Sequence, residues 1–549
     1  MTTAAVATRV AGAAALITVL TVASRLAGFG RTAVFAWSVG PTDLGDIYLA
    51  ANIIPNIIFE IIVGGALASL VVPLLAGAVA AGDRPVVSAT TSALLTWTLS
   101  LLVPLAVVVA LTAGPIVRLL AGQAGPEQID AGVLMLRLFA PQLPLYGIAV
   151  VLTGVLQAHH RFAWPVVAPL LSSVTVIGTY LAFAVTEGRL ADLPQVGVPG
   201  QALLAVGTTA GVAVLSLCLV VPVLRLRLRL RPGLRFAGAA RTAVGGLAAA
   251  GAVTVGTQQI AVLVAVWLCF AGGPPGGSMV LFLLAQTVFL LPWSVLAVPT
   301  ATATYPTLAA AHGRGDTDGY HAILAPAART VVLLACLGAS ALVALCVPAA
   351  AFLVPADQSV ALAAGIAGFA PGLIGYGLFA IGSRALYAAG RPRPAAGAVA
   401  IGWCATVVAA LVLAAVLPDR DRVLALALAN AIGMSTMGVL LVAALRRVGG
   451  GAALTGLGRA TTIGATAGLV AALAGTGVTY LAGGFSTTPT VSGAALQGML
   501  SGATTLVVFI AVCLPLDRHD LRPLVVATIR RTRRLSGGAR PSGKGTVPQ

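Results

Sequence analysis

Long apolar stretches, separated by short clusters of charged residues, proline and glycine, run through almost the whole chain. Most are at least as long as the ~20 residues that a helix needs to cross a bilayer. The alternation over about ten residues that marks a membrane β-barrel is absent from the sequence. We therefore expect an all-α polytopic membrane protein with about fourteen transmembrane helices, near residues 10–39, 47–80, 86–113, 131–157, 164–186, 199–224, 242–271, 278–311, 329–354, 358–388, 395–417, 423–445, 461–483 and 491–515.

Composition supports this interpretation and excludes a soluble enzyme. Of the 549 residues, 59% are hydrophobic and 9% are charged, whereas a soluble chain carries about 25% charged residues. The six cysteines lie inside apolar stretches without metal-ligand or CxxC spacing, so they are interpreted as small buried hydrophobic residues. Patterns for catalytic triads, nucleotide-binding loops and metal sites are missing. We expect no cofactor, no metal site and no enzymatic activity.

Charge is distributed unequally between the two sides of the predicted membrane. With the N-terminus in the cytoplasm, 24 of the 32 basic residues fall on that side, while the outer loops hold nine of the fifteen acids and four basic residues, Arg118, Arg189, Arg420 and Arg422. The positive-inside rule therefore predicts that both termini are cytoplasmic. The net charge of +17 does not indicate nucleic-acid binding, because the basic residues lie between apolar stretches. The basic tail is expected to lie on anionic headgroups.

An internal repeat is visible at an offset of 230 residues. Residues 141–161 and 371–391 share seven identities in 21 positions, among them Pro141/Pro371 and Tyr146/Tyr376. Chance similarity between helices rich in alanine, leucine and glycine is the alternative. The copies are spans four and ten and have the same polarity, which predicts two six-helix bundles in a pseudo-twofold parallel repeat, plus two C-terminal helices. The expected domains are 1–224, a basic linker 225–241, 242–445, the two extra helices in 446–515, and a basic tail 516–549.

Charged residues inside the spans are the candidates for function, because an arginine at the centre of a membrane helix costs about 2.5–3.5 kcal/mol. Arg137 and Arg384 lie near span ends, where their heads can reach the headgroups. Arg25 lies fifteen residues into the first span and Arg31 follows six residues later. Their planar guanidinium groups favour phosphate as a ligand, although they could instead tie helices together. Glu60 is the only acid inside any span, so it either neutralises Arg25, is protonated, or couples transport to an ion.

Four segments resemble the MviN/MurJ-type lipid II flippases of the multidrug/oligosaccharidyl-lipid/polysaccharide exporter superfamily. SRLAGFGRTAVFAWSVGPTDLGDIYLAANIIPN and GGALASLVVPLL are similar to the first two helices of that family. QAHHRFAWPVVAP and RALYAAGRPRP are similar to its turns after helices four and ten. The resemblance covers residues 10–515 and identifies the chain as a divergent member.

The resemblance implies a cationic central cavity that opens alternately to the two faces, and a groove for a polyprenyl tail between the last two helices. Arg25 and Arg31 match the cavity arginines of the family, and Asp46 matches its acid at the outer end. Helix eight of the family commonly carries an arginine where this chain has Thr287 next to Gln286. Together with Glu60, these five residues form the expected substrate-binding site.

The function expected is a flippase in the bacterial cytoplasmic membrane for a polyprenyl-pyrophosphate-linked glycan, with lipid II of peptidoglycan synthesis as the first candidate. The expected partners are this lipid and membrane lipids, with cell-wall synthesis proteins as further candidates and no nucleic acid. An ion-coupled drug exporter of the same superfamily is one alternative, but such an exporter needs acids in its cavity. A non-transporting cell-wall scaffold is the other, and the substitution by Thr287 favours it.

Overall fold

The computed structural model describes residues 3–61, 68–233, 244–272, 276–483 and 491–516. Regular structure in these segments is entirely helical. The helices are α1 (Thr3–Ser38), α2 (Asp43–Phe59), α3 (Ala68–Ala80), α4 (Arg84–Leu111), α5 (Ala113–Ala121), α6 (Pro126–Phe139), α7 (Gln142–Ala158), α8 (Ala163–Thr186), α9 (Val198–Leu217), α10 (Val220–Leu224), α11 (Val244–Ala271), α12 (Ser278–Pro292), α13 (Val298–Gly313), α14 (Thr317–Leu353), α15 (Ala356–Phe369), α16 (Gly372–Ala388), α17 (Pro392–Val416), α18 (Arg422–Gly449), α19 (Leu457–Leu481) and α20 (Val491–Leu516).

Within the described residues, eleven helices are long and apolar enough to cross a membrane, or twelve if α15 and α16 form one broken span. These twelve coincide with the last twelve predicted spans. The first predicted span corresponds to α1 and the second to α2 and α3, between which residues 62–67 lie outside the description. The all-helical membrane fold is therefore confirmed, whereas the number fourteen stays a prediction. Residues 234–243 of the predicted linker and 517–549 of the predicted tail also lie outside the described residues.

The internal repeat is visible in the helix boundaries. α6 and α7 recur as α15 and α16 at the offset of 230 residues, with the same first and last positions. The turns that follow α7 and α16 also correspond. His160 and Gly390 both adopt a left-handed backbone, with φ of 57° and 64°. The next residue of each copy, Arg161 or Arg391, donates its N–H back to the last helical turn, to Leu156 and Leu386 respectively, at 2.8 Å. This is the geometry that closes a helix C-terminus.

Contacts divide the chain into two compact units. The first comprises residues 1–290, 349–372 and 393–437, and the second comprises 291–348, 373–392 and 438–549. This division differs from the predicted domain boundaries, which stay a prediction.

The first unit has an apolar core where α3, α4 and α7 meet. Val71, Leu75, Leu94, Leu152 and Val155 are all buried there. A second cluster in the same unit consists of aromatic rings: Phe289 stacks on Phe369 with a centroid distance of 5.1 Å, and Phe282 lies 5.8 Å from Phe369.

The second unit is held by close packing of small residues and hydroxyl groups. α19 packs against α20, and the buried Ser501 hydroxyl lies within hydrogen-bonding distance of the carbonyls of Ala344 (3.1 Å) and Gly475 (2.9 Å). Small residues let membrane helices approach closely, and polar side chains then bridge them. In the same unit, Trp293 stacks on Tyr376 and donates its indole N–H to the Tyr376 carbonyl at 3.1 Å.

Candidate substrate-binding site

Arg25 and Arg31 lie on α1, about 9 Å apart along the helix axis at 1.5 Å per residue. Both side chains are exposed, and within the described part of the chain neither is in ion-pairing distance of a carboxylate. Gly28 and Gly30, between them, border open space, because a Cβ at either position would meet nothing within 4 Å. α1 therefore presents two permanent positive charges beside an open volume.

A group of tyrosines surrounds the charge of Arg31. Its guanidinium interacts electrostatically with Tyr48, Tyr146 and Tyr180, which belong to α2, α7 and α8. The hydroxyl of Tyr48 is hydrogen-bonded to Tyr180 at 2.9 Å and to Thr208 at 2.6 Å. These phenol oxygens place partial negative charge near Arg31 without a formal counter-charge. Arg31 can therefore still pair with an anionic ligand.

Asp46 connects α2 with the beginning of α12. Its side chain is buried, Oδ2 accepts the N–H of Gly277 at 2.9 Å, and Oδ1 accepts the N–H of Val280 at 2.9 Å. A carboxylate is stabilised at a helix N-terminus, where N–H groups lack partners within the helix. The Thr42 hydroxyl accepts the N–H of Gly45 and caps α2 next to this contact.

Two glutamine side chains fix the same corner of the first unit. Gln128 on α6 donates to the Asp43 carbonyl, and Gln358 on α15 donates to the Pro41 carbonyl, both at 2.9 Å. The segment before α2 is thus tied to α6, α12 and α15. Asp46 acts as part of this structural junction, which the resemblance did not indicate.

The ionisation of this corner is shifted by burial. Asp43 and Asp46 lie in the first turn of α2, before the span predicted to begin at residue 47. Burial raises the pKa of Asp46 to about 7, against the lowering effect of its backbone hydrogen bonds, and the neighbouring charge of Asp43 adds to the rise. Burial, with the charge of Asp192, also raises the pKa of Asp43. Asp46 therefore titrates near physiological pH.

Thr287 and Gln286 lie on α12, about two turns beyond the end held by Asp46. Both are half-buried, and the Thr287 hydroxyl donates to the Leu283 carbonyl of its own helix at 2.8 Å. Since this hydroxyl is satisfied locally, Thr287 supplies no charge and no free donor at this position.

Glu60 directly follows α2 and is exposed. Its carboxylate forms no ion pair with Arg25 within the described residues. Thus α1 carries both arginines, Asp46 holds the start of α12, and Thr287 and Gln286 lie two turns further along that helix. The geometry does not join Glu60 to either group.

Sequence reasoning missed two features. The Tyr48–Tyr180–Thr208 network was not expected, since Tyr48 lies more than 130 positions from its two partners and gives no local signal. Arg422 was counted as an outer-loop residue, but its side chain is buried. It forms an ion pair with Asp419 and donates to the carbonyls of Gly272 and Ala414, each at 2.9 Å. In the sequence, the only indication of this structural role is that Arg422 follows the turn at residues 418–421.

A repeated set of apolar helices, long enough to cross a membrane, is typical of a polytopic membrane protein of the transporter type. Comparison with known sequences narrows this class. The family model described as lipid II flippase MurJ matches residues 35–498, and the chain belongs to this family. The probable lipid II flippase MurJ of Synechocystis sp. (strain PCC 6803) is 30% identical over 215 residues, 39% of this chain and 39% of that relative. The matched region thus spans about two fifths of the relative.

Solved structures share the fold. The lipid II flippase MurJ in an inward closed conformation matches with a TM-score of 0.73 and 16% identity, over 91% of this chain and 99% of that one. An inward-facing multidrug resistance MATE family transporter of the MOP superfamily matches with a TM-score of 0.57 and 16% identity, over 80% and 94%. The fold is thus that of the MurJ and MATE transporters.

Proposed function

We propose that the protein is a flippase that moves a polyprenyl-pyrophosphate-linked glycan, lipid II in the first instance, across the bacterial cytoplasmic membrane by alternating access. The observation that carries this proposal is the pair Arg25 and Arg31, exposed on a membrane helix without a carboxylate partner in the described structure. A guanidinium at membrane depth requires a counter-charge, and a pyrophosphate supplies one with matching bidentate geometry. The family name and the Synechocystis relative support lipid II as the cargo.

In this proposal the cargo contacts follow from the placement of each residue. Arg25 and Arg31 hold the pyrophosphate. Thr287 and Gln286 face the same cargo but carry no charge. Binding of the cargo therefore depends more heavily on the two arginines of α1. Glu60 is exposed and is the group available for ion coupling. Asp46 holds the outer corner closed while the cargo enters from the cytoplasmic side.

The arrangement in the membrane is part of the proposal. Both termini are cytoplasmic, residues 1–224 and 242–445 form the two bundles that alternate, and α19 and α20 accept the polyprenyl chain. The charge asymmetry of the loops supports this orientation. Lipid II and membrane lipids are the partners, and cell-wall synthesis proteins are further candidates.

A drug exporter of the same superfamily is the second candidate, supported by the MATE-like fold. Its cationic substrates need carboxylates in the cavity, and Glu60 is the only acid inside a predicted span. The two arginines therefore favour the anionic cargo.

Native mass spectrometry of the purified protein with lipid II tests the proposal. Wild-type protein should bind lipid II, and Thr287→Arg should bind it about ten- to a hundredfold more tightly, because one added charge-assisted contact contributes about 1.5–3 kcal/mol. Thr287→Gln is the control that adds length without charge. If none of the three forms binds lipid II, the lipid II assignment is wrong. A non-transporting scaffold or a flippase for another cargo would then replace it.

A further inference from the structure

The chain that follows α10 alternates strictly between arginine and leucine from Arg225 to Arg231. Residues 228–233 are not helical and run along α4. Their backbone N–H groups donate to three side-chain hydroxyls spaced four residues apart on α4: Arg229 to Ser88 (3.3 Å), Arg231 to Ser92 (3.0 Å) and Gly233 to Thr96 (3.2 Å). We name these contacts the hydroxyl ladder.

The ladder works because two periodicities agree. Two residues of extended chain advance about 6.6 Å, and four residues of helix advance about 6.0 Å. A hydroxyl on every fourth position of α4 therefore meets every second N–H of the segment. Successive side chains of an extended segment point to opposite sides. The ladder therefore also determines which side chains face α4 and which face away from it.

The two faces of the segment differ in chemistry. Leu226 and Leu228 pack against the apolar core between α3, α4 and α7. Arg227, Arg229 and Arg231 are exposed, as is Leu230, so the apolar contact ends at Leu228. Arg227, Arg229 and Arg231, together with Arg84 at the start of α4, line a cavity of about 1290 Å³.

The cavity lining is cationic and rich in hydroxyls. No carboxylate belongs to the lining contributed by the described residues. The nearest acid in sequence, Asp83, accepts the N–H of Val86 and caps α4. Ser88 and Ser92 each accept one ladder bond, and each hydroxyl has a hydrogen of its own to donate. Guanidinium groups and hydroxyl donors are the side chains that bind phosphate oxygens.

The position of the cavity indicates the kind of phosphate. Arg84 begins one candidate membrane span, and Arg225 follows the end of another, Val198–Leu224. The cavity therefore begins at the level of the lipid headgroups and extends along α4 as far as Ser100. The positive-inside rule requires only an excess of basic residues on the cytoplasmic side of the membrane. It does not require hydrogen bonds that fix the backbone of Arg229 and Arg231 along one groove.

We propose that the groove lined by Arg84, Arg227, Arg229 and Arg231 is a binding site for the phosphate group of a lipid headgroup. A phosphodiester lipid and a pyrophosphate lipid offer the same chemistry to these side chains. The site is distinct from the arginines of α1, and it does not depend on lipid II transport.

Binding of phosphatidylglycerol to the full-length protein, counted by native mass spectrometry over a lipid titration, tests this site. Arg229→Gln/Arg231→Gln should weaken binding roughly thirtyfold, because each basic residue near an anionic surface contributes about a factor of five. Arg446→Gln/Arg447→Gln removes the same charge at the end of α18 and should change binding less than twofold. If both double variants weaken binding equally, the lipid is held by nonspecific charge attraction. That result would overturn the proposal.

A second variant separates geometry from charge. Ser88→Ala/Ser92→Ala leaves every arginine in place but removes two rungs of the ladder and two hydroxyl donors. We expect about tenfold weaker binding of phosphatidylglycerol, because two hydroxyl donors to a charged group are lost and water replaces part of their contribution. Unchanged binding in this variant contradicts the proposal.

The source of the phosphate is identified with three probes. Phosphatidylglycerol and a polyprenyl pyrophosphate should both bind in a manner that Arg229→Gln/Arg231→Gln weakens. Phosphatidylcholine should bind weakly to wild type and variant alike. Inorganic pyrophosphate that binds as tightly as either lipid would assign the groove to a soluble anion and overturn the lipid-headgroup proposal. None of these outcomes depends on whether the protein translocates lipid II.

Discussion

Arg25 is the residue on which the proposed function depends most. Its depth on α1 and its lack of a carboxylate partner among the described residues point to a ligand as the counter-charge. We expect Arg25→Ala to abolish complementation of a depletion strain while membrane levels of the protein stay normal. Arg25→Lys should rescue poorly, because an ammonium cannot reproduce the planar fork. Arg137→Ala, an exposed arginine near a span end, is the matched control and should complement. Full growth with Arg25→Ala contradicts this role.

Arg422 is predicted to matter for stability. Its buried guanidinium connects the carbonyls of Gly272 and Ala414 with the Asp419 carboxylate. Arg422→Ala leaves these carbonyls without a donor and should lower the free energy of unfolding by about 2–4 kcal/mol. Arg420→Ala, whose side chain is 83% exposed, should change it by less than about 0.5 kcal/mol. Thermal unfolding of both variants in detergent measures the difference, and equal melting temperatures would contradict the structural role.

At the scale of elements, the turn after α16 requires a left-handed residue. Gly390 has φ of 64°, and a Cβ there meets nothing within 4 Å, so any loss on substitution comes from backbone strain alone. Gly390→Ala should lower stability by about 1–2 kcal/mol. Gly397→Ala on α17 also meets no neighbour but has no positive φ, so it should stabilise its helix by up to about 1 kcal/mol. The melting temperature should fall for Gly390→Ala and rise for Gly397→Ala. An equal fall in both variants would contradict backbone strain at Gly390.

The contact between Asp46 and the start of α12 predicts a pH dependence. Its folded pKa of about 7 lies above the ordinary 3.8, so between these values the folded state binds a proton that the unfolded state does not. Stability from this group is complete below about pH 4 and is lost as the pH rises through 7. Asp43 interacts with the same carboxyl and contributes to the slope. Asp46→Asn cannot titrate, so the fall in melting temperature between pH 5 and pH 8 should shrink. An unchanged pH slope would falsify the assignment.

At the scale of the whole molecule, the orientation can be measured by cysteine labelling in a background without the six native cysteines. Gln123→Cys, in the loop between α5 and α6, should react only from outside. Asp318→Cys, in the first turn of α14, should react only from the cytoplasm. The expectation rests on the 24 basic residues predicted on one side against four on the other. The reverse pattern would invert the topology and with it the direction of transport.

Much of the fold was predictable because membrane helices carry their signal locally. Apolar length alone located twelve spans that the structure shows, and the repeat at 230 residues anticipated the matching boundaries of α6–α7 and α15–α16. Single contacts were not predictable. Asp46 meets N–H groups more than 230 residues away, and backbone donors have no sequence signature. The hydroxyl ladder was not predicted either. The positive-inside rule already explained the alternating arginines, so no partner on α4 was expected for this segment.

The most direct test of the central claim is the distribution of lipid II between the two leaflets in cells depleted of the protein. Lipid II should accumulate on the cytoplasmic leaflet, and its accessibility at the outer surface should fall. Wild-type protein and Arg137→Ala should restore outer accessibility, whereas Arg25→Ala should not. Unchanged outer accessibility on depletion, in a strain without another flippase for this lipid, would contradict the account.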